Sequence, residues 1–127
     1  MANPLLAQNY IADAAIANNR LVKFGTADRN VAVCAAATDS IIGVVNEMPP
    51  GIVAGERVDV VRVGIAWVEA GAAIVRGAPL TSDAVGRAVT AAPGAGVNNR
   101  IIGFADEAAS AAGDVIRFMI EPGLMQG

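Results

Sequence analysis

Ser40-Ile41-Ile42-Gly43-Val44-Val45-Asn46-Glu47 recurs downstream as Arg100-Ile101-Ile102-Gly103-Phe104-Ala105-Asp106-Glu107. After a short run of small residues, each copy reaches Ala-Gly-acid, at Ala54-Gly55-Glu56 and Ala112-Gly113-Asp114, and then enters an apolar stretch. Upstream the pattern also holds, with Asn30-Val31-Ala32-Val33-Cys34-Ala35-Ala36 standing before the first copy as Gly86-Arg87-Ala88-Val89-Thr90-Ala91-Ala92 stands before the second. The alternative, a chance match in an Ala/Gly/Val-rich background, is the weaker account, because order and spacing agree as well as letters. Two copies are too few for a solenoid, which needs about three repeats to bury a continuous core. A duplicated β unit can bury its apolar face against its twin. The expectation is therefore an all-β fold, an antiparallel barrel or sandwich of two pseudo-repeated halves at about 20–64 and 78–122, preceded by an N-terminal arm.

Working outward, short β-branched runs bounded by Gly, Pro, Asn and Asp mark the strands. They are expected near Arg20–Phe24, Val31–Ala36, Ile41–Asn46, Arg57–Ala70, Ala72–Val75, Arg87–Ala91, Ile101–Asp106 and Asp114–Ile120. Turn signals lie at 25–30, Met48-Pro49-Pro50-Gly51, 82–86 and 93–99. Within 57–70 the apolar parity slips, from Val58 and Val60 to Val61, Val63, Ile65 and Trp67. A β-bulge near Val60–Val61 would keep those residues on one buried face.

Residues 1–18 read differently from the rest. Leu5, Leu6, Tyr10 and Ile11 are large apolar groups with no hairpin partner nearby, so the segment is expected to be an arm on a single β domain at 19–127. A short amphipathic helix or a frayed terminus is the alternative. Trp67, the only Trp, reads first as core and second as an interface anchor. The residues put forward for partner contact are Leu5, Leu6, Tyr10, Ile11 and Trp67.

Composition limits the chemistry. The chain has 127 residues, is 54% hydrophobic but 4% aromatic and 17% charged, and carries a formal net charge of −3. Few charges remain to cover its surface, so part of the apolar surface is expected to be covered by another chain. Eight scattered Arg and a single Lys, Lys23, form no basic stripe, which argues against nucleic acid and membrane surfaces as partners. The start lacks the basic region of a signal peptide and no apolar run reaches ~18 residues, so synthesis in a cytoplasm is expected. The absence of His removes the commonest base and metal ligand. Asn46-Glu47 with Asp106-Glu107 could form a carboxylate pair but read better as strand ends. No phosphate loop, EF-hand, cofactor or metal motif is present, and Lys23 within Leu21-Val22-Lys23-Phe24 does not suit a lipoyl-type carrier hairpin. Cys34 reads as a small buried hydrophobe. No enzyme, catalytic residue, cofactor or metal is expected.

Taken together, Arg20-Leu21-Val22-Lys23-Phe24-Gly25, Ala37-Thr38-Asp39-Ser40-Ile41-Ile42-Gly43-Val44, Ala54-Gly55-Glu56-Arg57-Val58-Asp59-Val60-Val61, Gly64-Ile65-Ala66-Trp67-Val68-Glu69-Ala70-Gly71, Leu80-Thr81-Ser82-Asp83, Gly86-Arg87-Ala88-Val89 and Ala112-Gly113-Asp114-Val115-Ile116 resemble the capsid decoration, or head cement, proteins of tailed bacteriophages. The resemblance runs over nearly the whole chain. It implies a β-rich protein without an active site, assembled as a homotrimer or a dimer on the outer capsid surface of the virion and in contact with the major capsid protein. Other readings are a different structural virion module, of a tail or spike, and a small-ligand-binding β-barrel using Arg62, Glu69 and Arg100.

Overall fold

The computed structural model describes residues 3–46 and 52–127 and contains no helix among them. Nine strands follow in order: β1 Asn3–Ala12, β2 Arg20–Phe24, β3 Asn30–Val33, β4 Ile41–Val45, β5 Arg57–Glu69, β6 Pro79–Ser82, β7 Ala88–Thr90, β8 Asn98–Ala105 and β9 Val115–Gln126. They join into one sheet, β1-β3-β2-β4-β5-β9-β8-β6-β7, and a further β1–β5 pairing closes the first five into a barrel. Closure uses an antiparallel ladder from Ile11–Arg57 to Asn3–Ile65 and a short parallel contact, Ile11–Asn30 and Ala12–Val31, between β1 and β3. The ring closes on β3 only at the last two residues of β1, whose remaining length pairs with β5 alone.

Strand β5 organises the rest. Its residues Val60 and Val61 pair with both β1 and β4, and Gly64 and Ile65 pair with both β1 and β9. Thus β4 and β9 follow one another along the edge opposite β1. From β9 the strands run through β8 and β6 to β7, and a parallel bridge between Ala70 and Ala88 brings this second run back to the end of β5. Several bonds of the first run recur 58 positions later. Ala12 N–H donates to Glu56 O, and Ala70 N–H to Asp114 O; Gly55 N–H donates to Ala12 O, and Gly113 N–H to Ala70 O.

Two cores result. One fills the barrel with Tyr10, Ile16, Val22, Val31, Ile42, Val45, Val58 and Val60. The other lies under the second run and holds Leu21, Val44, Val61, Ala66, Val68, Leu80, Ile102 and Phe118. Strand β4 stands between them, with all five residues buried: Ile42 and Val45 face one core, Ile41 and Val44 the other. That explains why Ile-Ile-Gly-Val-Val is continuously apolar rather than alternating, since both faces are dry and each full Val or Ile side chain contributes roughly 1.5–3 kcal/mol of burial.

Several expectations need correction. Residues 3–12 of the expected arm pair with β5 and β3, so the segment does have a strand partner; it was hidden because that partner lies about fifty residues away. Strand β6 was not expected, and its last residue, Ser82, was read as the start of a turn although it is buried. The strand expected at Ala72–Val75 is a single bridge, Ile74–Ala109. The turn expected at 48–51 lies outside the described residues. In β5, pairing with β4 is regular at Val60 and Val61. Against β1, Leu6 faces Val63 and Ala7 faces Val61, so Arg62 is the extra residue and the irregularity lies just beyond the expected place. It does not exchange the two faces: Val58, Val60, Gly64, Ala66 and Val68 are buried on both sides of Arg62, and Val63, Ile65 and Trp67, expected on the buried face, turn away from the core.

Loop carboxylates tie the turns. Asp13 accepts from Asn30 Nδ2 at 2.7 Å, Thr26 N–H at 2.8 Å and the Thr26 hydroxyl, which together hold its carboxyl below the ordinary range. Partial burial pushes Asp39 upward, but bonds from Ala35 N–H, Lys23 and Ala36 N–H outweigh it and the net shift is downward. Asp114 is lowered by the Ser110 N–H and hydroxyl and by Ala111 N–H. A carboxyl whose folded pKa lies below its unfolded value contributes stability that is present above that unfolded value, roughly 3.9, and is lost as pH falls through the folded pKa. Melting temperature should therefore be flat from about pH 7 to 5 and drop below about pH 4. Thermal scans across this range check it, with Asp13→Asn expected to flatten part of the drop.

Candidate interaction surface

The outward residues of β5 create an apolar surface. Strands normally turn their larger apolar groups inward, yet here the interior takes Gly64, Ala66 and Val68 while the outside takes Val63, Ile65 and Trp67. Directly paired residues of an antiparallel sheet share a face, so the pairings extend this surface sideways. Ile65 stands beside Met119 of β9, Met119 beside Phe104 of β8, and Phe104 beside Pro79 of β6. One row lower, Val63 stands beside Leu6 of β1. Met119 is 44% exposed, Val63 42%, Leu6 45% and Phe104 37%; Ile65 and Pro79 are half-buried.

One row above, Trp67 pairs with Arg117. The guanidinium lies 3.8 Å from Asp106 and 3.6 Å from Glu107, and Glu107 also accepts the Arg117 N–H at 2.8 Å. These carboxylates therefore neutralise a surface arginine. Their expected partner Glu47 lies outside the described residues. Asn46 serves the backbone instead. Its side chain donates to Trp67 O at 2.8 Å and accepts from Trp67 N–H at 3.0 Å, tying the residue after β4 to the backbone near the end of β5. Asn46→Ala strands both backbone groups and should cost about 1–3 kcal/mol. Urea denaturation followed by Trp67 emission measures it; an unchanged midpoint would contradict this role.

The other residues put forward for contact divide. Leu5 is 81% exposed and Leu6 is on the apolar face, whereas Ile11 is half-buried. Tyr10 is buried in the barrel core, its hydroxyl receiving Arg62 Nη1 at 2.9 Å, which corrects its expectation as an accessible contact. Inward alternation along β1 decides this, since Tyr10 pairs with the core residue Val58. Trp67 is half-buried on the outer side. Sequence reasoning missed Val63, Ile65, Phe104 and Met119 as surface residues, because apolar runs alone do not say which face is covered.

The three polar residues named for a ligand-binding barrel do not converge. Arg62 meets Tyr10 and lies over the Phe24 ring; Glu69, seven residues along the strand and hence roughly 23 Å away, bridges Arg20 and Arg87. Arg100 lines a cavity of about 240 Å³ with Ile41, Ile101, Pro122, Gly123 and Leu124. Among the described residues no three His, Cys, Asp or Glu side chains gather as metal ligands, and no helix is long and apolar enough to cross a membrane. Cys34 is buried, and desolvation, helped by the Asp39 charge, pushes its thiol up to about 12, so the reactive thiolate is scarce at neutral pH.

The sequence matches the family model described as phage cement protein over residues 5–120. The chain belongs to that family. Cement-family membership makes it a structural protein associated with a phage capsid. Its fold is similar to the head fiber gp8.5 N base of bacteriophage phi29, at 20% identity and a TM-score of 0.67 over 91% of this chain and 93% of that one. None of the curated proteins matches.

Proposed function

We propose that this cement protein decorates the outer surface of the assembled phage head and stabilises the shell, with the major capsid protein and further copies of itself, as a homotrimer or a dimer, as its partners. The match of residues 5–120 to the phage cement family carries this reading. A protein that binds the assembled lattice better than free capsid subunits adds its binding free energy to shell stability by linkage. Several identical feet on one oligomer raise effective concentration, multiplying weak contacts by roughly 10²–10⁴. The role is non-catalytic and is exercised on the virion, after synthesis in the bacterial cytoplasm.

The chain is also two copies of one β unit, about 20–64 and 78–122. The hydrogen bonds that recur 58 positions apart, and the parallel contacts Ala12–Val31 and Ala70–Ala88, support that reading. Rupture of heads by heat or low salt, with and without the protein, tests the function. Decorated heads should survive to higher temperature; equal fragility would overturn the proposal.

A further inference from the structure

We propose that the cavity beside Arg100 receives an extended segment of the capsid protein, with an aliphatic side chain in the cavity and a neighbouring carboxylate on the guanidinium; this deepens the decoration reading above and rests on it. The cavity, of about 240 Å³, lies between the far part of the β8–β9 ladder and the start of β4. Ile41, a member of the second core, lines it with Ile101, Pro122 and Leu124. It is thus an open end of that core. Gly123 keeps it open: a Cβ there would come no closer than 3.6 Å to Ile101, so crowding does not explain the missing side chain.

The charge at the mouth says what kind of group would enter. Arg20, Arg57, Arg62, Arg87 and Arg117 each hold a side chain or carbonyl of their own chain. Arg100 is exposed, and among the described residues its guanidinium has no ion pair and no hydrogen-bond acceptor. Glu121, close by in the sequence, does not line the cavity. The backbone is nevertheless fixed, Arg100 N–H donating to Ala37 O at 2.7 Å. An unpaired guanidinium held beside an apolar cavity is complementary to a carboxylate next to an aliphatic group, and it can grip that carboxylate through two parallel bonds.

The strand edge indicates a peptide. Strand β5 pairs with β9 only as far as Gly64–Ile120, and the same edge then takes β4 at Val61 and Val60. Residues 121–126 therefore have β8 on one side and, among the described residues, no strand on the other. An extended segment can lie along such an edge, drawing affinity from backbone bonds and specificity from a side-chain pocket. A second copy does not supply it. Among the described residues, the acids next to Val or Ile are Asp59, Glu69, Asp114 and Glu121; three lie within paired strands, and Asp114 is tied to Ser110 and Ala111. Each would have to leave its own fold. The segment therefore belongs to a different protein, which for a head decoration protein is the shell.

Co-sedimentation with heads that lack the protein tests this. Arg100→Gln removes the charge, and Gly123→Val fills the cavity from a position with room for a Cβ. Each should weaken head binding about 10-fold or more, with circular dichroism and mass in solution unchanged. If wild type binds heads and both folded variants bind equally well, this proposal is overturned and the decoration role stands. Wild type that does not bind heads overturns the decoration reading and this docking point with it. Variants that lose oligomer mass together with head binding would make the cavity a contact between copies, which also refutes the proposal. Should Gly123→Val not fold, Arg100→Gln decides, since that side chain makes no bond within the chain among the described residues.

Discussion

Phe118→Ala should cost about 3–5 kcal/mol, a large share of the 5–15 kcal/mol that holds a domain of this size together. Phe118 is the largest of the fully buried side chains. Its direct neighbours across the sheet are Ala66 on β5 and Ala105 on β8, so one ring fills the space that two alanines leave. Neither alanine can fill the space the ring vacates, which is why the cost is that of a large-to-small core truncation. Urea denaturation should show a lower midpoint with an unchanged slope. Val75→Ala, at a position 75% exposed, is the control and should stay within about 0.5 kcal/mol. A Phe118→Ala protein that lost less than about 1 kcal/mol would show that the second core is not close-packed.

Gly43→Ala and Gly103→Ala should each cost about 3 kcal/mol or more, at or above the upper end for overpacking, because the obstacle is backbone rather than a movable side chain. A Cβ on Gly43 would fall on the carbonyl oxygen of Val61 and 2.8 Å from Val60 Cγ1. On Gly103 it would fall on the carbonyl oxygen of Met119 and 2.9 Å from Glu121 N. Each is the glycine of Ile-Ile-Gly, and each lets its strand lie hard against the next, β4 on β5 and β8 on β9. The sites belong to different strand pairs, so the double variant should lose close to the sum and fail to fold. Melting temperatures check this, and an alanine variant within about 2 °C of wild type would remove the close approach as the reason for that glycine.

The same glycines show how much was legible in the letters. Ile41-Ile42-Gly43 and Ile101-Ile102-Gly103 both lie on strands pressed against a long neighbour, and the pattern of the chain located those strands within a few residues. Strand β1 was not legible as a barrel member, because Leu5, Leu6, Tyr10 and Ile11 belong to a strand whose partner is Arg57–Ile65, and pairing at that separation leaves no local signal. Strand β6 was missed since it is short and its Ser82 carries turn chemistry that tertiary burial overrode. Of the residues put forward for contact, Leu5 and Leu6 are exposed and Tyr10 is core, and the pairing of Tyr10 with Val58 decides the latter only once that partner is known.

The sequence by itself determined the all-β class, most strand positions and the lack of His, since these rest on composition and short-range pattern. Tertiary structure alone decided that β1 closes the barrel, that the irregularity falls at Arg62, and that Val63, Ile65 and Trp67 turn outward. The physical reason is that even-numbered Val58, Val60, Gly64, Ala66 and Val68 are buried on both sides of Arg62, and whether a face meets a core or solvent depends on strands distant in the chain.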